Sequence, residues 1–284
     1  MGLPWRDHPA WSVVERAEAL LGEPLAPLLL DAPTAALAST RAAQLAVLCT
    51  SLVTWEALRN RIEPVGFAGH SLGQVTALIA SGTLSFDDGL RFASRRAACT
   101  QAAADAHPGR MAALLGATLD QAQEACAAAP DACWVANDNA PGQVVLAGTP
   151  KGLDVALARA KVVGVPRATM LNVGGAFHTP LMRDAVDELR ACLSVVELVT
   201  PRAPVVSNDD GAAYADAEGW RARSADHVAV PVRWRLVQST LTGLGTDTFL
   251  EVGHGSMLAT LAKRTVPEVN VHGVATPEAV EGIA

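Results

Sequence analysis

The most restrictive feature of the chain is the pentad Gly69-His70-Ser71-Leu72-Gly73, because the hydrophobic period changes across it. Val65-Gly66-Phe67-Ala68-Gly69 reads as a short buried strand, and Leu72 to Ser81 reads as a helix. Passing from strand to helix in so few residues requires a sharp corner, and the glycines on either side of Ser71 permit it. Such a corner lifts the serine Oγ clear of the backbone. It also sets the N–H of Leu72 at a helix start, aimed at any negative oxygen that forms beside Ser71, with the positive end of the helix dipole behind it. Ser71 is therefore a candidate nucleophile and Leu72 a candidate backbone donor. A structural turn is the alternative that the pattern by itself leaves open.

The rest of the chain supplies an α/β setting. Residues 9 to 59 carry apolar positions at helical spacing, divided by Pro24, Pro27 and Pro33 into several helices. A further helix is expected from about Phe86 through Ala104, fading toward His107-Pro108-Gly109. From Met111 to Asn172 the rhythm changes. Strands at 111–116, 133–137, 143–148 and 167–172 alternate with helices at 120–128 and 151–163, in the order β-α-β-β-α-β of a ferredoxin-like unit. Residues 110–173 are thus predicted as a small subdomain inserted into a larger α/β body of residues 1–109 and 174–284. His178-Thr179-Pro180 is expected to open a helix running to about Leu193, and residues 204–207 and 248–252 read as strands of the larger body.

A serine hydroxyl is a poor nucleophile at neutral pH and needs a base, most often histidine, to take its proton. Of seven histidines, His178 stands out because it follows a glycine-containing turn, Asn172-Val173-Gly174-Gly175-Ala176-Phe177, and comes after the serine as the base does in α/β-hydrolases. A capping or core histidine is the competing reading.

Composition narrows the rest. With 50% hydrophobic and 18% charged residues among 284, the chain can bury a large core. A formal net charge of -7 argues against nucleic acid as the main partner. Five cysteines without a Cys-x-x-Cys pair read as reduced thiols rather than disulfides or a metal site. The first residues lack the basic, apolar and small-residue order of a secretory signal, and no apolar run is long enough to span a bilayer, so a soluble cytoplasmic chain is expected.

Several segments, taken in order, resemble the malonyl-CoA:acyl carrier protein transacylase family and the related acyltransferase domains of polyketide synthases. Gly69-His70-Ser71-Leu72-Gly73-Gln74 is similar to the nucleophile motif, the run from Ala136 to Gly148 to the central hairpin, and Gly175-Ala176-Phe177-His178-Thr179-Pro180-Leu181-Met182 to the histidine motif. Pro204-Val205-Val206-Ser207-Asn208, Pro231-Val232-Arg233-Trp234 and Phe249-Leu250-Glu251-Val252-Gly253 follow in the family's order. The resemblance implies an α/β-hydrolase-like body with a ferredoxin-like insertion. The activity it implies is transfer of a malonyl group from coenzyme A to the phosphopantetheine thiol of an acyl carrier protein, without metal or redox cofactor.

By the same resemblance Ser71 is acylated, His178 is the base and the Leu72 N–H is one oxyanion donor. Arg96 falls where the family keeps an arginine for the free malonyl carboxylate; a planar guanidinium suits that task, and a solvated helix charge beside Arg95 is its alternative. Phe177 resembles the malonyl-preferring form of its motif, in which the ring crowds out a branched α-carbon. His70 lies within the nucleophile motif, beside the substrate. His227 takes a position that is glutamine in many members and close to the base, so its side chain or its carbonyl is placed to orient His178; an ordinary histidine is the alternative. Asn139 and Asn208 match positions near the pocket, or are turn-forming asparagines.

Two departures accompany the resemblance. The family opens with a strand ending in Gly-Gln-Gly-Ser-Gln, whose glutamine N–H completes the oxyanion hole, and this sequence has no such segment. One lost oxyanion donor costs about 10² to 10³ in rate, so weak activity is expected. His254 stands where proline is usual and receives no role. Two other functions are carried alongside: an esterase or thioesterase that passes the acyl group to water, and a non-catalytic protein that docks a carrier protein.

Overall fold

The computed structural model describes residues 1–31 and 40–283, and Pro33 lies outside them. Two short 3-10 turns lead into α1 (Ser12–Leu21), α2 (Ala26–Leu30) and α3 (Thr40–Leu58). Pro24 separates α1 from α2, while Pro27 stands in the first turn of α2, where its missing N–H costs nothing. The Glu18 carboxylate accepts from the N–H groups of Leu25 and Ala26 at 2.7 Å each and so caps α2 from α1. After α4 (Gly73–Ala80) comes α5 (Phe86–Ala106), started by Ser85, whose hydroxyl accepts from the Asp88 N–H.

The next six elements are β1 (Arg110–Ala117), α6 (Leu119–Ala127), β2 (Cys133–Ala140), β3 (Gly142–Gly148), α7 (Pro150–Val162) and β4 (Arg167–Met170). Their strands form one antiparallel sheet in the order β2-β3-β1-β4, with Leu114 opposite Val144 and Ala168. Alternation along each strand divides its residues between two cores. Ala112, Leu114, Val144 and Leu146 face α6 and α7 and pack on Ala122, Leu153 and Ala156. Met111, Ala113, Val145 and Ala147 form the opposite face and pack on Ala176 and Phe177, next to the histidine motif. The sheet thus delivers one face to its own helices and the other to the site.

Helix α6 carries a full capping box: Thr118 Oγ1 accepts from the Gln121 N–H at 3.1 Å, and Gln121 Oε1 accepts from the Thr118 N–H at 2.9 Å. Thr118→Ala is expected to cost about 1 kcal/mol and to lower Tm by about 2–4 °C in a thermal melt.

The remaining elements are α8 (Asp184–Ser194), β5 (Val205–Val206), β6 (Ala213–Tyr214), α9 (Trp220–Asp226), α10 (Trp234–Gly243), β7 (Thr248–Val252), α11 (Met257–Thr265), β8 (Asn270–Val274) and α12 (Pro277–Glu281). Helices α1, α3, α4, α5, α8 and α9 enclose the largest core, around Trp5, Leu48, Leu78, Phe92, Leu189 and Trp220. β7 and β8 are parallel, and β5 and β6 form a short antiparallel pair.

Two expectations need correction. Residues 65–69 are extended but not a regular buried strand. Phe67 alone bridges Val205, through Phe67 N–H to Pro204 O and Val206 N–H to Phe67 O, both at 2.8 Å, and Val65 is 53% exposed. Phe67 and Gly69 are buried, whereas Val65 stands at a bend before the bridge and lies in solvent. After His178 there is no continuous helix: Thr179 caps a 3-10 turn at Pro180–Met182, and α8 begins only at Asp184.

Candidate active site

Among the described residues only Ser71, Asp131 and His178 combine a side chain with positive φ. Ser71 at φ 54° and His178 at φ 62° both hold a conformation that costs a non-glycine residue energy, so the surrounding packing must impose it. At the Ser71 corner the need for glycine is one-sided. A Cβ on Gly69 would sit 1.9 Å from the Gly73 carbonyl oxygen, whereas a Cβ on Gly73 would meet nothing within 4 Å. Gly69 makes the elbow possible; Gly73 supplies the close-approaching carbonyl.

The loop after β4 and the 3-10 turn at His227–Ala229 bring the base to the elbow. His178 Nε2 lies 2.7 Å from Ser71 Oγ. Its Nδ1 faces two acceptors, the carbonyls of His227 at 3.0 Å and Val230 at 3.2 Å, so Nδ1 carries the hydrogen and Nε2 presents its lone pair to the serine. The third member of this relay is backbone, not a carboxylate. His178 is 3% exposed, and its pKa is lowered to about 3 by burial and by the nearby Arg96 and His70, against the pull of the two carbonyls. At neutral pH the imidazole is an uncharged acceptor ready for a proton. The Leu72 N–H, at the start of α4, donates to no protein acceptor among the described residues and is free for a ligand oxygen.

Arg96 comes to the same place from α5. Its Nη2 donates to Ser71 Oγ at 3.2 Å, its Nη1 to Gln44 Oε1 at 2.5 Å, and its Nε has no partner among the described residues. Burial, at 5% exposure, lowers its pKa to about 10, which leaves it charged at neutral pH. No carboxylate among the described residues lies in ion-pair reach of it. Its neighbour Arg95 is exposed and pairs with Glu188. A buried, unpaired cation beside a nucleophile is costly, and a bound anion would offset that cost.

Gln44 on α3 and Thr100 on α5 were not singled out from sequence. Gln44 Nε2 donates to Thr100 Oγ1 at 3.4 Å, and Thr100 Oγ1 donates to the Arg96 carbonyl at 2.8 Å, so the two orient the guanidinium. The available signals were a lone glutamine in an Ala- and Leu-rich helix and the i,i+4 spacing of Arg96 and Thr100.

The other sequence-selected residues also converge here. His70 Nε2 bonds Asn139 Oδ1 at 2.9 Å and meets the Trp234 ring edge-on, tying the elbow to β2. Burial lowers the His70 pKa, and Asn139 opposes the shift. β2 is held in turn by Val232, whose N–H and carbonyl bond Ala136 and Asp138 at 2.9 Å, and by Arg235 on Asp138 at 2.8 Å. Asn208, fully buried, accepts from the Ser71 N–H at 2.9 Å and donates to the Gly69 carbonyl at 2.9 Å and to Gln74 Oε1 at 2.8 Å. His227 bonds Asn208 through Nε2 at 3.1 Å, and its ring centroid lies 5.2 Å from that of His178. Phe177 packs between the two cores beside His178. His254 makes no side-chain hydrogen bond to the described residues and lies exposed. Among the described residues no helix is long and apolar enough to cross a membrane, and no group of three metal-ligating side chains converges.

A serine on a neutral imidazole at a strained corner, with a free helix-start N–H and a buried guanidinium beside it, is an arrangement built for acyl transfer. The acyl transferase domain family matches residues 10–280, and the chain belongs to that family. It is 32% identical to the malonyl CoA-acyl carrier protein transacylase of Bacillus subtilis over 271 residues, covering 94% of this chain and 86% of that protein. Its structure is similar to that of an acyl-carrier-protein S-malonyltransferase from Burkholderia pseudomallei, with a TM-score of 0.94, 32% identity and coverage of 98% and 92% of the two chains. A malonyl-transacylase solved in complex with its type II polyketide acyl-carrier protein gives a TM-score of 0.92 at 30% identity, covering 96% and 90%.

Proposed function

We propose that this chain transfers a malonyl group from malonyl-CoA to the phosphopantetheine thiol of an acyl carrier protein through an ester on Ser71. The observation that carries the reading is Arg96, a buried cation with no carboxylate partner among the described residues, 3.2 Å from the nucleophile. A hydrolase of neutral esters has no use for such a group, whereas the free carboxylate of a malonyl thioester pairs with it. The fold is read as an α/β-hydrolase-like body, residues 1–109 and 174–284, with a ferredoxin-like insertion at 110–173; the β2-β3-β1-β4 order supports the insertion.

In the first half-reaction His178 Nε2 takes the Ser71 proton as Oγ attacks the thioester carbonyl. The oxyanion forms beside the Leu72 N–H, the C–S bond breaks, and the His178 proton goes to the departing coenzyme A sulfur. In the second half-reaction the carrier-protein thiol gives its proton to His178 and attacks the Ser71 ester, and the proton returns to Ser71 Oγ as the C–O bond breaks. Proton transfer, nucleophile and carboxylate clamp all come from side chains, so no metal or redox cofactor is required. Phe177 narrows the space at His178 in favour of an unbranched malonyl group. His70 with Asn139, and Asn208 with His227, brace the elbow that carries Ser71, and five free cysteines accord with a cytoplasmic setting in fatty acid or polyketide synthesis.

Intact-mass analysis after mixing with malonyl-CoA tests this. A malonyl adduct is expected on the wild-type chain, absent from Ser71→Ala and discharged onto holo carrier protein. No wild-type adduct, an adduct that persists in Ser71→Ala, or discharge only as free malonate would reject the proposal.

A further inference from the structure

A second cleft lies at the opposite end of α4 from the elbow. Its volume is about 550 Å³, the size of a small-ligand site, and none of Ser71, Arg96 and His178 lines it. Helix α4 has eight residues, so this end stands about 12 Å from its start beside Ser71. Val13, Leu52 and Leu84 give the cleft an apolar wall, and Arg16, Arg59 and Arg202 bring three guanidinium groups to it.

The three cations differ in what holds them. Arg16 lies 4.5 Å from the centroid of the Phe86 ring and pairs with Asp87 at 2.6 Å, and Arg59 pairs with Glu56 at 2.9 Å. Arg202 lies over two rings, 4.7 Å from the centroid of Trp55 and 5.3 Å from that of Phe67. Among the described residues its guanidinium has no carboxylate in ion-pair reach and no hydrogen-bond acceptor. Its backbone N–H donates to the Ser81 carbonyl at 3.0 Å, which fixes where the side chain starts. Contact with the two rings then holds the guanidinium in place while its five N–H donors stay unbonded. Burial and the charge of Arg59 both lower the Arg202 pKa, so the two cations lie close enough to repel each other. Acceptors along this rim are already used: the carbonyls of Ala77, Leu78, Ile79 and Ser81 all accept from backbone N–H groups at 2.9–3.0 Å. The cleft therefore presents donors, and three guanidinium groups against two carboxylates.

The geometry points to a second ligand site here, which takes the phosphoryl group of a phosphate monoester against Arg202 and Arg59 and seats an apolar or aromatic body on the wall made by α1 and α3. The unneutralised charge calls for an anion. Arg59 spends Nε and Nη2 on Glu56, which leaves Nη1. That group and the open fork of Arg202 outnumber the two oxygens of a carboxylate and suit the three terminal oxygens of a phosphate. The volume far exceeds that of a bare ion, and Val13, Leu52 and Phe86 offer apolar surface to the remainder of the ligand.

Calorimetric titration of the intact chain with phenyl phosphate tests the assignment, in an Arg96→Gln background so that the cation beside Ser71 cannot supply the binding. A Kd of about 0.1–1 mM is expected, on the scale of two charge-assisted contacts. Adding Arg202→Gln should weaken binding by about 10- to 100-fold and adding Arg59→Gln by about 3- to 10-fold, with cooperative thermal melts in both. Where Arg202→Gln does not fold, Arg59→Gln carries the comparison. Benzoate and inorganic phosphate should each bind about tenfold more weakly than phenyl phosphate, the first for want of a third oxygen and the second for want of a body. No binding of phenyl phosphate in the Arg96→Gln chain, or affinity undiminished by the added arginine substitutions, would overturn the proposal. Benzoate binding as tightly as phenyl phosphate would remove the phosphoryl assignment, and inorganic phosphate doing so would remove the apolar seat.

Discussion

Arg96→Gln is expected to lower kcat/KM for malonyl-CoA by about 10²- to 10⁴-fold while acetyl-CoA loses at most about tenfold. The range follows from two charge-assisted hydrogen bonds to a carboxylate, about 1.5–3 kcal/mol each, at 1.4 kcal/mol per decade. The smaller loss for acetyl-CoA reflects the bond from Arg96 Nη2 to Ser71 Oγ, which both substrates use. Stability should move the other way. The guanidinium is buried, charged and unpaired, with an unpartnered Nε, so replacing it with a neutral amide is expected to raise Tm. Arg96→Lys keeps the charge but not the planar fork and should recover only part of the malonyl preference. Equal losses for the two thioesters would remove Arg96 from substrate selection.

Acidification from pH 7 to pH 5 is expected to destabilise the fold more than it protonates the base. The folded-state pKa of His178 is lowered to about 3, and that of His227 is lowered well below 6.5, chiefly by burial and then by the neighbouring His178 and Arg96. The unfolded chain therefore binds more protons than the folded one in this range. The stability these groups contribute is fully present above about pH 6.5 and drains away as pH falls toward 3. At pH 5 His178 alone accounts for about 2 kcal/mol, and His227 adds to it with the same sign. Urea melts at the two pH values measure the loss, and His227→Gln should show a smaller one. While the chain stays folded, His178 remains neutral, so kcat/KM in short assays should show no acid limb from the base between pH 5 and 7. Unchanged stability at pH 5 would mean that the imidazoles are less desolvated than their burial indicates.

Much of the site was legible in the sequence because its parts are local. Gly69 and Ser71 announce a corner where strand period gives way to helix period, and the β-α-β-β-α-β order appears in the structure with boundaries shifted by at most three residues. His178 was reached through its glycine-containing turn and its place after the serine, and Arg96 and Phe177 through motif resemblance. Other features depended on neighbours distant in sequence. Residues 65–69 have the apolar pattern of a buried strand, yet pairing through Phe67 alone leaves Val65 in solvent. Gln44 looked like one polar residue on a helix until α3 packed against α5 and set its amide on Arg96. Asn208 had two readings, a residue near the pocket and a turn former, and its bonds to the elbow and to His227 became visible only in the structure.

The sequence by itself determined the helices and strands between Phe86 and Met170, where the corner would fall and which chemically competent residues were available. Those properties follow from periodicity and from backbone preferences that act over a few residues. Only the tertiary structure decided which nitrogen of His178 faces the serine, that Arg96 is buried without a counter-ion, and that His227 reaches the elbow through Asn208. Desolvation and hydrogen-bond direction are set by groups that packing brings together from α3, α5, the elbow and the turn after α9, and no local pattern encodes them.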